Sequence, residues 1–308
     1  MTGEVIDGRK IADVLKHDVA RNVDELRDSG ITCGLTTIQV GDDFSSQTYR
    51  SRLRKIGREV GIEVRDIVLD ATTSPGEVID VVRAANVDPA TTGILVLRPL
   101  PKHVSEAEIF QELAPIKDIE SVHPENAGLL ALGVPRYVPS TAASVFHVLD
   151  EWLTQAGEQA SSFYHRARIV VVGRSNNVGK PLVSLAYARQ AAVESVDEWA
   201  SHTGRLSSHT RRADVLICAA GKPGLIQAEH VRAGAIVLDV GINHLTVDEV
   251  SGATRIVGDV AFDAVINRVR AITPVPGGVG PVTDVWLMGN VVEASRAGVL
   301  TTSGQGRR

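Results

Sequence analysis

Arg168–Pro181, RIVVVGRSNNVGKP, is the stretch that decides the fold. Ile169–Val172 is an unbroken β-branched run, the pattern of a strand buried on both faces of a parallel sheet. Gly173 breaks the run. Arg174, Ser175, Asn176 and Asn177 make a polar turn, and Gly179, Pro181 and Leu182 lead into a helix predicted to end near Arg189. A strand, a glycine-bearing turn and a helix together form a phosphate site. Unpaired N–H groups at the helix start face the ligand, and the helix dipole favours negative charge. The spacing is G-x-S-x-x-x-G, so the bare pattern also fits a plain strand-to-helix turn, and context must decide.

The context points to a dinucleotide. Ala191–Val196 reads as the next strand, and its end carries Asp197 and Glu198. A carboxylate at the tip of the second strand, roughly 20 residues past the glycines, holds ribose hydroxyls in such folds and repels a 2′-phosphate. Solvated loop charges are the other reading of the pair. Further strands are predicted at Asp214–Cys218, followed by AAGKPG, and at Ala235–Val240, followed by Gly241-Ile242-Asn243. Repeated strand–turn–helix units imply a doubly wound parallel sheet with its ligand at the strand carboxyl ends.

The 308 residues suffice for two domains of ordinary size. The net charge of −5 and the lack of a basic, aromatic-rich patch argue against nucleic acid. The apolar runs are too short to span a bilayer, and the N-terminus has no signal pattern. Cys33 and Cys218 lie far apart in or beside apolar runs, as buried thiols of a reducing compartment do; no metal site is expected. A cytoplasmic protein is the expectation.

The first half has its own strand–helix alternation. Asp7 can cap a helix reaching Arg27, with Ile11, Val14, Leu15 and Val19 on one face. Strands are predicted at Leu35–Val40, Glu63–Leu69 and Gly93–Val96. Helices are predicted at Ser45–Val60, stopped by Gly61, from Ser74-Pro75 onward, and at Glu106–Leu113. Val145–Leu153 reads as part of a long helix bridging to the second domain. The polar stretch Thr154–His165 reads as the tail of that connection, and the residues after Leu300 as disordered.

Five islands then carry a family resemblance: VGDDFSSQTY (Val40–Tyr49), GILVLRPLP (Gly93–Pro101), PIKDIESVHPENAG (Pro115–Gly128), VVVGRSNNVGKP (Val170–Pro181), and a last group. That group is DVGIN (Asp239–Asn243), GDV (Gly258–Val260) and TPVPGGVGPVT (Thr273–Thr283). In this order the chain resembles the methylenetetrahydrofolate dehydrogenase/cyclohydrolase family over nearly its whole length. The resemblance implies an α/β fold of two domains with a cleft between: an α/β catalytic domain and a Rossmann-like, doubly wound nucleotide-binding domain. Residues 1–150 plus 280–300 would form the substrate domain, 151–279 the dinucleotide domain and 301–308 a tail. It also implies a folate-like substrate, NAD or NADP, and a homodimer. Cofactor contacts would fall on Gly173, Arg174, Ser175, Asp197, Glu198, Ile242 and Thr283. Substrate contacts would fall on Tyr49, Leu97, Arg98, Pro99, Glu120, Pro276, Gly277, Gly278 and Val279.

The departures bear on the chemistry. The family's Tyr-x-x-x-Lys appears as Tyr49 with Leu53 at the lysine position. The glutamine of its GILVQLPLP is Leu97, followed by Arg98. The aspartate of its KDVDGFHP is Glu120, followed by Ser121 and Val122. PCTPxG becomes Pro139–Ser144. Tyr49, Glu120, Leu53 and Leu97 thus occupy the catalytic positions. Hydride transfer needs mainly positioning of the donor carbon. Hydrolysis of a methenyl cation needs an activated water and proton transfer, which two leucines cannot supply. Dehydrogenation with weak or lost cyclohydrolase activity is therefore expected. The alternatives are a paralogue acting on another small C–N substrate and a non-catalytic nucleotide binder. Arg98 would meet a substrate carboxylate or solvent, and Lys117 with Asp118 could form a salt-bridged turn. His123 reads as a structural loop residue. Arg174 pulls toward NADP, while Asp197 and Glu198 pull toward NAD, which is favoured.

Overall fold

The computed structural model describes residues 2–248 and 253–305. The chain divides into two compact units: residues 1–13 with 141–283, and residues 14–140 with 284–308.

The first unit is built on a six-stranded sheet. Its strands are β1 (Glu4–Val5), β5 (Arg168–Val172), β6 (Ala192–Val196), β7 (Val215–Cys218), β8 (Ile236–Asp239) and β11 (Ala271–Ile272). The order is β6-β5-β7-β8-β11-β1, and every neighbouring pair is parallel. The chain leaves β5 for β6 on one side and returns to β7 on the other, so strand order reverses at β5/β7, where doubly wound folds bind ligands. β7 and β8 are buried along their whole length, as apolar runs between helices require. Their side chains pack with Val170, Val172, Val260 and Ile272 in one core.

The second unit holds a three-stranded parallel sheet of β2 (Gly34–Val40), β3 (Glu63–Leu69) and β4 (Gly93–Val96), ordered β3-β2-β4. The central strand β2 is buried at all seven positions. α1 (Gly8–Asp28), α2 (Phe44–Val60), α3 (Pro75–Val87), α4 (Glu106–Gln111) and α5 (Pro124–Ala131) alternate with these strands or follow them. Local chemistry fixes their ends. Asp43 caps α2 by accepting from Ser46 N at 2.8 Å, and Gly61 ends it in a left-handed turn. Ser74 and Glu77 form a capping box ahead of Pro75 on α3. Lys117 Nζ donates to the carbonyls of Ala85 (3.2 Å) and Asp88 (2.8 Å) at the C-terminal end of α3. Asp118 is fully buried and accepts from Val122 N, His123 N and Asn126 Nδ2 at 2.9–3.1 Å and 2.8 Å. Lys117 and Asp118 are thus structural, with separate partners rather than each other. His123 caps α5 by accepting from Glu125 N.

Several boundaries differ from the sequence expectation. Residues 1–13 belong with the nucleotide unit because Glu4 and Val5 pair with Ala271 and Ile272, completing the sheet edge. α6 (Ser140–Gln155) starts five residues before the predicted core of that helix. The polar stretch after it contains α7 (Ala160–Arg166), whose Phe163 and Tyr164 are buried. Tyr164 donates to Asp150 Oδ1 at 2.6 Å, and Arg189 lies 4.4 Å over Phe146 and 5.6 Å over Tyr164. α8 (Gly179–Ala188), α9 (Glu198–His202) and α10 (Leu206–Thr210) follow the first strands of the unit. β9 (Asn243–Asp248) and β10 (Ala253–Val257) pair antiparallel and lie outside the strands expected from the sequence. α11 (Phe262–Val265) precedes β11, and α12 runs Val279–Gln305, into the stretch expected to be disordered; 306–308 lie outside the described residues. No helix among the described residues is long and apolar enough to cross a membrane.

Asp118→Asn should lower stability by about 1–3 kcal/mol, because an amide NH2 would face donors that need an acceptor. Urea unfolding would show this as a lower midpoint at unchanged m-value.

Candidate active site

In the first unit, a pocket of about 300 Å³ lies at the carboxyl ends of β5, β6 and β7. Gly173, Arg174, Ser175, Asp197 and Glu198 line it, together with Ser201, Ala219, Ala220 and Lys222. Two glycines make the turn possible. Gly173 has φ +118°, and a Cβ there would fall 2.1 Å from Ala219 O. A Cβ on Gly179 would fall 2.2 Å from Gly173 O. Ser175 Oγ accepts from Val178 N and Gly179 N at 3.2 and 3.3 Å, fixing the turn at the α8 N-terminus. This glycine cradle, with its exposed polar turn Arg174–Asn176 ahead of α8, suits a dinucleotide's pyrophosphate.

Two of the pocket's charged side chains, Arg174 and Asp197, are partnered with each other. Arg174 donates to Asp197 Oδ2 (2.9 Å), Ser195 O (2.6 Å) and Ser195 Oγ (3.2 Å). Asp197 Oδ1 also accepts from Trp199 N and caps α9.

Two buried aspartates from the DVGIN and GDV islands shape the neighbouring loops. Asp259 accepts from Ala220 N (2.6 Å), Gly221 N (3.0 Å), Lys222 N (2.9 Å) and Asn243 Nδ2 (3.0 Å), folding the AAGKPG wall. Asp239 accepts from Gly241 N, Asp259 N and Val260 N. Burial pushes Asp239 up to about 7, against the pull of those donors. Gly277 O, in the PGGVGP loop, accepts from Gly8 N at 3.0 Å. Pro276 is exposed, while Gly277, Gly278 and Val279 are buried. Ile242 is exposed, and Thr283 Oγ1 donates to Val279 O within α12; neither is among the residues lining the pocket.

The second unit gathers a different set. Tyr49 and Arg52 come from α2, Arg98 from the turn after β4, Glu120 from the loop after Asp118, and Asp284 from α12. Ser46 Oγ donates to Arg98 O at 3.0 Å, pinning the start of α2 to that turn. Asn290 Nδ2 donates to Ile119 O and Val138 O, both at 2.8 Å, holding α12 against the segments that carry Glu120 and Ser140. Glu120 Oε1 accepts from Ser140 N at 3.0 Å. Ser121 is in the left-handed region (φ +54°), and its Oγ donates to Tyr137 O at 2.6 Å.

The electrostatics of this set follow from burial. Tyr49 stays a neutral phenol: burial, then the charges of Asp284 and Glu120, hold its pKa well above the usual value. Burial also raises the Glu120 carboxyl, against the opposing effects of Ser140 and Arg98. The Arg98 guanidinium stacks 5.3 Å from the Phe110 ring, and Nη1 lies 3.9 Å from Glu106 Oε2. That Nη1 is buried without a hydrogen-bond partner, so this end of Arg98 is turned away from solvent, toward Phe110 and Glu106 of α4. Leu53 is fully buried and Leu97 nearly so. Pro99 follows Arg98 through a cis peptide bond.

Tyr49, Arg98 and Glu120 therefore share one cluster, and Gly173, Arg174, Ser175, Asp197 and Glu198 share one pocket. Sequence reasoning missed Arg52, Ser201 and Asp284, and it named Lys222 only as part of a longer stretch. No sequence signal marked Asp284, because α12 is apolar around most of its circumference; the structure shows it buried in line with Met288, Val291 and Ser295 at helical spacing. No group of three His, Cys, Asp or Glu among the described residues could hold a metal ion.

Comparison with known proteins agrees with this arrangement. The tetrahydrofolate dehydrogenase/cyclohydrolase catalytic-domain model matches residues 6–120, and the NAD(P)-binding-domain model of the same family matches 139–298. Bifunctional protein FolD 2 of Rubrobacter xylanophilus is 50% identical over 308 residues, covering 100% of this chain and 96% of its own. The methylenetetrahydrofolate dehydrogenase-cyclohydrolase of Trypanosoma brucei, solved with NADP and an inhibitor, superposes with TM-score 0.88 at 33% identity, covering 97% and 99% of the two chains. The bifunctional FolD of Campylobacter jejuni superposes with TM-score 0.86 at 34% identity, covering 95% and 98%. With a Rossmann-type nucleotide unit and an α/β catalytic unit both matched, the chain belongs to the tetrahydrofolate dehydrogenase/cyclohydrolase family.

Proposed function

We propose that this chain oxidises 5,10-methylenetetrahydrofolate with a nicotinamide dinucleotide and then hydrolyses the methenyl product. The observation that carries the reading is the cluster of neutral phenol, buried carboxyl and unpaired guanidinium N–H at Tyr49, Glu120 and Arg98. It is joined in one chain with a switch-point pocket whose glycines leave no room for a Cβ. When bound, the nicotinamide accepts the hydride. Glu120 and the Arg98 Nη1 offer polar contacts to a pterin-like ring, and Tyr49 offers a phenol that remains a donor. Ring-nitrogen lone-pair assistance makes a strong protein base unnecessary for this step. Loss of hydrolysis, expected from Leu53 and Leu97, finds no support among relatives such as the bifunctional protein above, and the reading keeps both activities. A homodimer in a reducing, cytoplasmic compartment completes the proposal.

For the cofactor, NAD is the better fit. Asp197 and Glu198 line the pocket, and Arg174 is engaged by Asp197 and Ser195. A ribose hydroxyl can donate to Asp197, whereas a 2′-phosphate would meet two carboxylates.

Purified protein with methylenetetrahydrofolate should reduce NAD⁺ with higher kcat/KM than NADP⁺. No turnover with either cofactor, while cofactor still binds, would reject a folate substrate and favour another C–N compound. Asp197→Ser keeps the α9 cap and frees Arg174. It should raise kcat/KM for NADP⁺ about tenfold, equivalent to ~1.4 kcal/mol. Gly179→Ala should weaken cofactor binding by at least about tenfold with the fold retained, read by calorimetry beside circular dichroism.

A further inference from the structure

Asp284 is a carboxylate where packing calls for an apolar side chain. It shares the inward stripe of α12 with Met288, Val291 and Ser295, all at most 2% exposed, and its own side chain is 8% exposed. A buried acid with a weak partner is costly unless something at the site uses it. Its ion partner is Arg52, whose Nε lies 3.3 Å from Oδ2 and whose side chain is 48% exposed. The Arg52 guanidinium also sits 5.3 Å from the centre of the Tyr49 ring. Arg52 thus connects Asp284 to Tyr49. The groups facing this carboxylate are Tyr49 and Arg52 from α2, with Arg98 and Glu120 acting on the same phenol.

Resting on the folate reading above, we propose that Asp284 is the general base of the hydrolytic step, held by Arg52, in a site whose Leu53 and Leu97 can carry no proton. Water adds to the methenyl carbon: a C–O bond forms, and one water proton passes to the Asp284 carboxylate. In the second stage the bond from that carbon to the ring nitrogen breaks. The nitrogen takes the proton back from Asp284, and the remaining hydroxyl proton leaves to solvent as the formyl C=O forms. Cation and water thus become the formyl product and one proton, and Asp284 ends as it began. Burial sets its pKa at about 6, so the carboxylate is largely ionised at neutral pH yet basic enough to accept a proton.

The test uses the full chain and 5,10-methenyltetrahydrofolate, with the buffer rate subtracted at each pH and dehydrogenation measured on the same preparation. Wild-type hydrolysis should rise with pH through about 6 and level off. Asp284→Asn should lower the ratio of hydrolysis to dehydrogenation by about 10²–10⁴, through kcat rather than KM, and abolish that rise. Asp284→Glu should restore part of the ratio. An unchanged ratio and pH profile in Asp284→Asn would overturn the proposal. So would a wild-type protein that dehydrogenates but does not hydrolyse, which leaves the folate reading standing; loss of both activities in wild type would reject that reading itself. Should Asp284→Asn fail to fold, Arg52→Gln gives a second route. Removing the guanidinium raises the acid's pKa, so the rise must move to higher pH, and a rise that stays put contradicts the proposal.

The burial of the charge has its own check. The folded carboxyl binds its proton more tightly than the unfolded one, at about 6 against 3.8. Wild-type stability from this group therefore falls as pH rises through that window. Asp284→Asn should melt higher than wild type at pH 8 and match it near pH 4. No such divergence would mean that the charge is not buried and would remove the basis of the proposal.

Discussion

Backbone N–H groups in a loop folded under other structure cannot reach water, and each must find an acceptor. In this chain buried aspartates provide it. Asp259 takes three successive N–H groups from Ala220 to Lys222, Asp239 takes three from Gly241, Asp259 and Val260, and Asp118 takes two from Val122 and His123. One carboxylate accepting several convergent donors defines a loop shape more sharply than chain propensity could. The walls of the nucleotide pocket and the loop carrying Glu120 both rest on this device. The DVGIN and GDV islands thus shape the loops around the pocket through Asp239 and Asp259.

Much of the fold was legible because its strands are short apolar runs bounded by strong punctuation. Ile169–Val172 before Gly173, and Ser74-Pro75 ahead of α3, are decided by local chemistry. The β-strand Glu4–Val5 was not legible: two residues carry no period, and their pairing depends on Ala271 and Ile272, far along the chain. α7 was hidden because polar residues surround Phe163 and Tyr164, whose burial depends on Asp150 and Arg189. The antiparallel pair β9 and β10 adds two strands that the strand–helix alternation of a doubly wound fold does not call for. In the candidate site, residue identity showed which positions differ from the family pattern, but not what took their place. Asp284 stands out only once α12 is seen to bury that face.

The two sites treat charge in opposite ways. In the catalytic unit burial dominates, so Tyr49, Glu120 and Asp284 are all pushed toward their neutral forms, and polar contacts there come from hydrogen-bonding groups more than from fixed charges. In the nucleotide pocket Arg174 and Asp197 are partly solvated and matched to each other.

The contact between Arg174 and Asp197 makes recognition in that pocket a competition. An arriving anion gains the guanidinium only by outbidding a carboxylate tethered beside it. A neutral hydroxyl displaces nothing and can use Asp197 as it stands. Selectivity of this kind is relative: salt that screens the resident pair also screens the intruder, so preference depends on which anion is better placed rather than on total positive charge. The pocket is therefore self-buffered, its response to a ligand's charge set by a partner it carries within its own chain.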